Sequence, residues 1–209
     1  MNKEILISHI KTKWYYYLIA IIASFTLSLI MITVASSPTK KEKVSIFLTC
    51  FKVDYSFNEY IESITPDNLE IIELNIKHKE DTYYGTVIKG YRKNADILIV
   101  PESKLDYIDT RNYLLITDSF MDELELTNKE YEYYFNENNE RYGIKVYSKD
   151  TNKGILEGLI EFNKEDSIEN HYLFINIKSM HLGKYNNSDD DSVIKILKEI
   201  LNYEKKDGE

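Results

Sequence analysis

The amino-acid sequence predicts an α/β protein in which an N-terminal transmembrane helix precedes one three-layer α/β domain with a mainly parallel sheet. Three observations lead to this prediction. Residues 14–35 form a continuous apolar segment. Beyond it, apolar runs rich in β-branched residues alternate with segments of helical periodicity, an order typical of a parallel sheet covered by helices. About 170 of the 209 residues follow the apolar segment, which is the size of one domain.

The apolar segment, residues 14–35, contains no charged residue, no Gly and no Pro. At about 1.5 Å per residue its helix would be about 33 Å long, enough to cross a hydrocarbon core of about 30 Å. Trp14 and the three tyrosines that follow it favour the headgroup region of a bilayer. A cleaved signal peptide is the alternative, with the small residues Ala35, Ser36 and Ser37 as its cleavage site. Because the apolar run exceeds the usual length of about 7–15 residues, we expect an uncleaved signal anchor.

The orientation of this span depends on the lysines at its two ends. Three precede it and three follow it: Lys3, Lys11 and Lys13, then Lys40, Lys41 and Lys43. The positive-inside count is therefore tied. A short basic tail ahead of a large acidic domain favours a cytoplasmic tail (residues 1–13) and an extracytoplasmic C-terminal domain. The predicted parts after the span are a polar linker (36–43), the soluble domain (44–203) and a disordered tail (204–209).

The first half of the domain has the order strand, helix, strand, helix, strand. Residues 44–51 (VSIFLTCF) and 95–100 (ADILIV) are apolar runs typical of buried central strands. Residues 57–64 and 82–93 have the apolar spacing of amphipathic helices, and residues 69–76 alternate as a strand does. Parallel strands joined by helices are then expected to be connected by right-handed crossovers.

The second half of the domain is less regular. The same patterns predict helices at 102–108, 118–126, 154–162 and 189–203, a short strand at 113–116, a hairpin formed by 131–135 and 142–147, and a strand at 172–177. Ser188 or Asp189 would cap the last helix.

Four segments of the domain resemble bacterial extracellular solute-binding proteins, the lobed binding components of ABC importers. They are KVSIFLTCF (43–51), NADILIVPESKL (94–105), YGIKVYSK with the following GILEGLIEF (142–162), and HYLFINIKSMHLG (171–183). Together they are spread over most of the soluble domain. Members of that family hold their ligand between two lobes, whereas this chain has room for one lobe. The resemblance therefore implies a single membrane-anchored lobe that offers half of a ligand cleft.

In an open parallel sheet the ligand lies beyond the carboxyl ends of the strands. That rule would bring seven residues to one rim: Thr49, Lys52, Pro101, Glu102, Ser103, Lys178 and Ser179. Of these, Thr49, Glu102, Ser103 and Ser179 are the candidate ligand-binding residues for a small solute or peptide. The alternative is that they are ordinary loop and cap residues, since Glu102 and Ser103 stand where a helix would begin.

No sequence motif predicts catalysis, a cofactor or a metal site. The chain has no P-loop, no G-x-G-x-x-G and no pair of histidines at zinc-binding spacing. Ser179 and His181 share one side of an extended strand, but no G-x-S-x-G elbow accompanies them. Residues 186–192 (NNSDDDS) lack the glycine and the final glutamate of a calcium loop, and their aspartates suit a helix N-terminus. Cys50, the single cysteine, is expected to be a core residue.

Charge limits the classes of partner. The net charge is −9, and the residues before the span carry +2 (three lysines against Glu4), so the remainder carries −11. A domain of that charge repels phosphate backbones, and we expect no nucleic-acid partner. The aromatic run at residues 131–135 suits either core packing or stacking on a sugar or peptide.

These observations favour a non-catalytic binding or accessory module at the membrane, with a transporter or another membrane protein as its partner. The alternative is a structural accessory subunit of a membrane complex that has no small-molecule ligand. In that case the span would pack on other helices through small residues such as Ala20, Ala23, Ser24 and Ser28. An enzyme is the third hypothesis, and no catalytic constellation in the sequence supports it.

Overall fold

A computed structural model describes residues 3–126 and 129–204. Its contacts divide the chain into two compact units, Met1–Pro38 and Thr39–Glu209. From residue 205 onward, the predicted disordered tail lies outside the described residues.

Helix α1, Lys3–Ala35, forms the first unit. Its backbone leaves the helical region at Lys13 (φ −122°, ψ 15°), immediately before Trp14. The stretch Lys11–Thr33 is long and apolar enough to cross a membrane, and a signal sequence at the N-terminus would have the same length and composition. Thr26, Ser28 and Thr33 donate their hydroxyl groups to carbonyls four residues earlier, as Thr26 does to Ile22 at 2.9 Å. Such bonds satisfy polar groups inside the helix, as a hydrocarbon environment requires.

The second unit contains nine strands and four further α-helices in its described part. The strands are β1 (Lys43–Thr49), β2 (Lys52–Val53), β3 (Ile71–Lys77), β4 (Ile97–Pro101), β5 (Tyr133–Phe135), β6 (Arg141–Ser148), β7 (Lys153–Gly154), β8 (Ile160–Glu161) and β9 (His171–Ile175). The helices are α2 (Ser56–Ser63), α3 (Tyr84–Asn94), α4 (Asp118–Glu123) and α5 (Ser192–Asn202), with 3₁₀ turns at Glu102–Tyr107, Thr110–Asn112 and Gly183–Tyr185.

Seven of these strands form one mixed sheet in the order β3-β1-β4-β9-β6-β5, with β7 also paired to β6, while β2 and β8 pair separately. Strand β1 is parallel to both β3 and β4. Strand β9 is antiparallel to β4 and to β6, and β5 and β7 are antiparallel to β6. Four of the six pairings in the described sheet are therefore antiparallel, and the prediction of a mainly parallel sheet is wrong. The physical reason is that an apolar run such as β9 has the same pattern in either direction.

Most predicted elements are present, including the first five in their predicted order and the hairpin of β5 and β6. Residues 154–162, predicted as a helix, instead form a turn between β7 and β8, because Leu156 (φ 57°) and Gly158 (φ 86°) adopt left-handed backbone angles that a right-handed helix excludes. The predicted strand at 113–116 is reduced to one isolated bridge, Tyr113 with Asn176. Residues 102–107 form a 3₁₀ turn rather than an α-helix.

Successive residues of the central strands point to opposite faces of the sheet, and both faces carry an apolar core. Ile46 and Leu48 of β1 belong to one buried cluster, together with the apolar faces of α2, α4 and α5. Phe47, between them, belongs to a second cluster that includes Ile88 of α3. Each large side chain buried in this way contributes about 1.5–3 kcal/mol. The burial of Cys50, 4 % exposed, in the first cluster confirms that it is a core residue.

Candidate functional site

The direction of β9 separates the predicted ligand-binding residues. Register pairs Pro101 with His171 and Ile97 with Ile175, so β9 begins where β4 ends. Thr49, Glu102 and Ser103 therefore lie at the carboxyl edge of the parallel strands. Ser179 and Lys178 follow the end of β9 and lie at the opposite edge, beside the beginnings of β1 and β4. The prediction that Ser179 shares one rim with Thr49 is wrong, because it assumed that β9 runs parallel to β4.

Two of the predicted residues at the carboxyl edge are engaged by neighbouring side chains. Thr49 is buried, and its Oγ1 lies 2.7 Å from the hydroxyl of Tyr84. Glu102 accepts a hydrogen bond from Asn170 Nδ2 at 3.0 Å and one from Lys149 Nζ at 3.4 Å. These contacts account for both residues as structural groups.

The third, Ser103, donates its backbone N–H to Glu169 Oε2 at 2.8 Å. The other carboxylate oxygen of Glu169 accepts from Lys79 Nζ at 2.5 Å. Burial alone would raise the pKa of Glu169, but the hydrogen bonds from Lys79 and Ser103 lower it. The carboxylate therefore stays charged and joins β3 to the turn after β4.

The cavity beside Thr49 at this carboxyl edge is too small for a solute. It measures about 10 Å³, which is about the space of one water molecule, and its lining includes Thr49, Cys50 and His171. Burial raises the pKa of the Cys50 thiol to about 12 and lowers the pKa of His171 to about 4. At neutral pH both groups are uncharged, as a buried structural position requires.

A larger pocket of about 230 Å³ opens at the opposite edge of the sheet, between the beginnings of β1 and β4 and the segment after β9. We refer to it as the basic pocket because its lining carries four lysines and two carboxylates: Lys40, Lys43, Lys93, Lys178, Glu73 and Asp96. The lining is thus positively charged in a protein whose net charge is −9.

Asp96 forms the half-buried carboxylate of this pocket. Its Oδ2 accepts the backbone N–H of Ser45 at 2.7 Å, and its side chain is also hydrogen-bonded to Ser179. Burial raises the pKa of Asp96, although these two hydrogen bonds and the charges of His181 and Lys40 oppose the rise. Two hydrogen bonds from within the protein therefore hold the carboxyl group in place.

The segment after β9 is held rigidly against the turn before β4. The side-chain amide of Asn176 donates to the carbonyl of Ala95 at 2.9 Å, and its Oδ1 accepts the N–H of Lys178 at 3.0 Å. Because Asn176 is 3 % exposed, these bonds are shielded from water. They fix the backbone from which the Lys178 side chain extends over the pocket.

The lysines of the basic pocket differ in how they are paired. Lys43 Nζ lies 2.8 Å from Glu73 Oε2. Lys40, Lys93 and Lys178 are exposed, and none of them forms an ion pair with any of the residues that the structure describes. The charges of Lys93 and Lys178 are therefore not compensated by a neighbouring carboxylate in the described structure, whereas the charge of Lys40 acts on Asp96.

Beside the pocket, His181 joins the linker to the loop before α5, a set of contacts that we call the His181 clamp. Nδ1 lies 2.6 Å from Asp190 Oδ2, and Nε2 lies 2.9 Å from the backbone carbonyl of Lys40. Both partners accept hydrogen bonds, so both ring nitrogens must carry hydrogen, and the ring is an imidazolium. Burial would lower the pKa of His181, but Asp190 and the Lys40 carbonyl raise it above its usual value. Neither nitrogen is directed at the Ser179 hydroxyl, so this geometry does not make a nucleophile and base of Ser179 and His181.

Sequence reasoning missed the roles of Lys93, Asp96, His181 and Asp190. The one sequence signal for this pocket was the polar run KNAD (93–96) immediately before β4. It predicts a pocket together with Lys178 only if β9 is known to be antiparallel to β4. The predicted cap of the last helix, Ser188 or Asp189, is wrong, because α5 begins later, at Ser192. The N–H of Ser192 donates instead to Asp190 Oδ1 at 2.9 Å. Within the described ranges, no group of three or more acidic, histidine or cysteine side chains could hold a metal ion.

The aromatic run on β5 is mainly a packing element. The ring of Tyr134 lies 5.6 Å from that of Phe174, and the hydroxyl of Tyr131 donates to the carbonyl of Leu201 at 3.1 Å. Phe135 is the exposed member of the run.

Comparison of the chain with protein-family models, curated proteins and solved structures finds no match. Nothing in these comparisons identifies a solute-binding protein, so the resemblance stays a prediction.

Proposed function

We propose that this protein is a membrane-anchored, non-catalytic binding module whose ligand occupies the basic pocket. The domain would be a three-layer α/β lobe resembling one lobe of a solute-binding protein, with a cytoplasmic N-terminus and an extracytoplasmic C-terminal domain. Its partner would be a transporter or another membrane protein. A tethered lobe meets its ligand at the membrane surface, where such a partner also lies.

One observation carries the proposal: a concave site of about 230 Å³ brings together three lysines that lack ion pairs in the described structure. Unpaired charges on one concave surface favour a ligand of opposite charge. At the carboxyl edge, the cavity beside the predicted residue Thr49 holds about one water. The ligand site is therefore assigned to the edge opposite the one that the strand rule predicts.

A binding role is favoured over chemistry because the reactive groups near the pocket are already engaged. Asp96 accepts from Ser45 and Ser179, and both nitrogens of His181 face acceptors. A general base needs a free acceptor within hydrogen-bond reach of the proton that it removes.

The test uses the full chain in phosphatidylcholine nanodiscs and a panel of amino acids, sugars, short peptides, organic acids and phosphates. We expect at least one class to raise the thermal unfolding midpoint, and we expect the effect to be lost in the triple variant Lys40→Gln/Lys93→Gln/Lys178→Gln. A matched control neutralises three lysines outside the pocket: Lys41→Gln, Lys89→Gln and Lys153→Gln. If no class stabilises the wild type, the proposal is abandoned in favour of the structural accessory subunit.

Protease accessibility on intact cells tests the orientation separately. Digestion of the domain from outside is expected, with trypsin cutting at exposed lysines. A domain that stays protected until the membrane is permeabilised would refute the extracytoplasmic placement.

A further inference from the structure

We infer that the basic pocket binds a phosphate group, and that Lys40, Lys93 and Lys178 neutralise its charge. This inference rests on the proposed function and names the chemical class of the ligand. The phosphate could belong to a small soluble phosphate ester or to a phospholipid headgroup, which share this chemistry.

The charge of the pocket favours an anion over other ligands. Lys43 is paired with Glu73, and the carboxyl group of Asp96 is occupied by the Ser45 N–H and the Ser179 hydroxyl. The charge of Lys40 acts on Asp96, so the pocket keeps a net positive charge, and its exposed groups without an ion pair in the described structure are three ammonium groups. Each is a compact charge with three donors, well suited to phosphate oxygens.

A zwitterion such as a free amino acid fits the same groups less well. Its ammonium group would need a free carboxylate, and Asp96, the one carboxylate of the lining outside the Lys43–Glu73 pair, already accepts two hydrogen bonds from the protein. The three lysines would also repel it. The lining carries four lysines and two carboxylates, a net charge of +2, so a simple carboxylate leaves one positive charge uncompensated, whereas a phosphate dianion leaves none and offers separate oxygens to separate lysines.

The negative charge of Asp96 does not exclude an anion, because it is compensated from inside the protein. The imidazolium of His181, the Ser45 N–H and the ammonium group of Lys40 all act on the carboxylate. Lys93 and Lys178 lie in the same lining and add positive charge that is not paired in the described structure.

The volume agrees with a phosphate that carries a short substituent. At about 30 Å³ per water molecule, 230 Å³ is the space of about seven waters. A bare phosphate has five heavy atoms, so a glycerol-sized group fits beside it. A bulky substituent such as a nucleoside would extend out of the pocket.

The experiment measures binding of inorganic phosphate and of sn-glycerol 3-phosphate to the full chain in phosphatidylcholine nanodiscs, by calorimetry and ³¹P NMR at constant ionic strength. Acetate and glycine serve as the carboxylate and zwitterion comparisons. We expect both phosphates to bind, with affinity reduced about tenfold or more in Lys40→Gln/Lys93→Gln/Lys178→Gln and unchanged in Lys41→Gln/Lys89→Gln/Lys153→Gln.

Equal losses in the two triple variants would overturn the inference, because they would show a general effect of net charge. Binding of glycine, acetate or another solute without phosphate would also overturn it, while leaving the binding module intact. A wild type that binds nothing in the whole panel removes both proposals. Circular dichroism of each variant verifies that a lost signal is not a loss of folding.

A second set of nanodiscs that contain phosphatidic acid separates the two sources. If a lipid phosphate occupies the pocket, glycerol 3-phosphate binds more weakly in these discs, and addition of the lipid shifts the Lys178 side-chain resonances in wild type. If affinity is the same in both discs, the phosphate comes from solution. Either result supports the phosphate site and identifies its source.

Discussion

Raising the pH through the titration of His181 is expected to destabilise the second unit. The ring holds Asp190 at 2.6 Å and the Lys40 carbonyl at 2.9 Å, and it can donate to both only when it is protonated. The folded pKa is raised above the usual value of 6.5. The stabilisation is therefore fully present below pH 6.5 and is lost as the pH rises through the raised folded pKa.

The magnitude follows from the bonds that deprotonation weakens. A hydrogen bond to a charged group contributes about 1.5–3 kcal/mol, and each unit of pKa shift corresponds to about 1.4 kcal/mol. His181 is 1 % exposed, so solvent screens these bonds little. We expect the free energy of unfolding to fall by about 1–3 kcal/mol across this titration. The other charged group acting on the ring, Asp96, raises its pKa further and enlarges the effect.

The assay is urea unfolding of the full chain at a series of pH values, followed by the near-ultraviolet signal of the tyrosines. Trp14 lies in α1, whereas 15 of the 18 tyrosines lie in the second unit. The variant His181→Gln is the matched control. It keeps Cys50, whose thiol also makes the free energy of unfolding depend on pH in the alkaline range, so the difference between wild type and variant reports on His181 alone. The difference between wild type and variant should shrink as the pH rises. A difference that is constant with pH, or a His181 pKa below 6.5 by NMR titration, would refute the reasoning.

Three further predictions concern stability and reactivity. Thr49→Val should lower the free energy of unfolding by about 1–3 kcal/mol by leaving the Tyr84 hydroxyl without its partner, whereas Thr49→Ser should retain most of it; equal losses by urea denaturation would contradict this. Burial raises the pKa of Cys50 to about 12, so iodoacetamide at neutral pH should label the thiol only after the protein has unfolded. Rapid labelling of the folded protein, followed by mass spectrometry, would count against the burial of Cys50. Gly143→Ala would place a Cβ 2.8 Å from the Phe174 ring. The clash should lower the thermal unfolding midpoint by the equivalent of about 1–3 kcal/mol in the free energy of unfolding. An unchanged midpoint would show that the ring moves aside without cost.

The elements that were predicted correctly are those whose pattern of apolar residues is compatible with a single type of secondary structure. Strands β1 and β4 are apolar on both faces, and both faces are buried in the structure. Helix α5 places its apolar residues on one face, and that face enters the core. In each case the apolar period fixes the element without reference to the rest of the chain.

The wrong predictions concern segments whose local pattern is compatible with more than one structure. Leu156, Leu159 and Ile160 have helical spacing and are all buried, yet the first two lie on a turn with left-handed angles at Leu156 and Gly158, and Ile160 begins β8. No periodicity in the sequence reveals such a turn. The direction of β9 is set by its neighbours β4 and β6, and its own sequence does not encode it. That direction decides which loops meet. Lys93 and Lys178, far apart along the chain, line one pocket only because β9 is antiparallel, so the candidate site could not be found from local pattern.

The position of β1 has a mechanical consequence. The linker enters the second unit through Lys40, and β1 begins three residues later between β3 and β4. A pulling force on the N-terminal segment acts first on the hydrogen bond between the Lys40 carbonyl and His181. It then acts along a strand that has a hydrogen-bonded neighbour on each side, so those bonds are loaded together rather than opened one after another. Attachment through an inner strand therefore makes the second unit stiff toward tension applied along the segment that precedes β1.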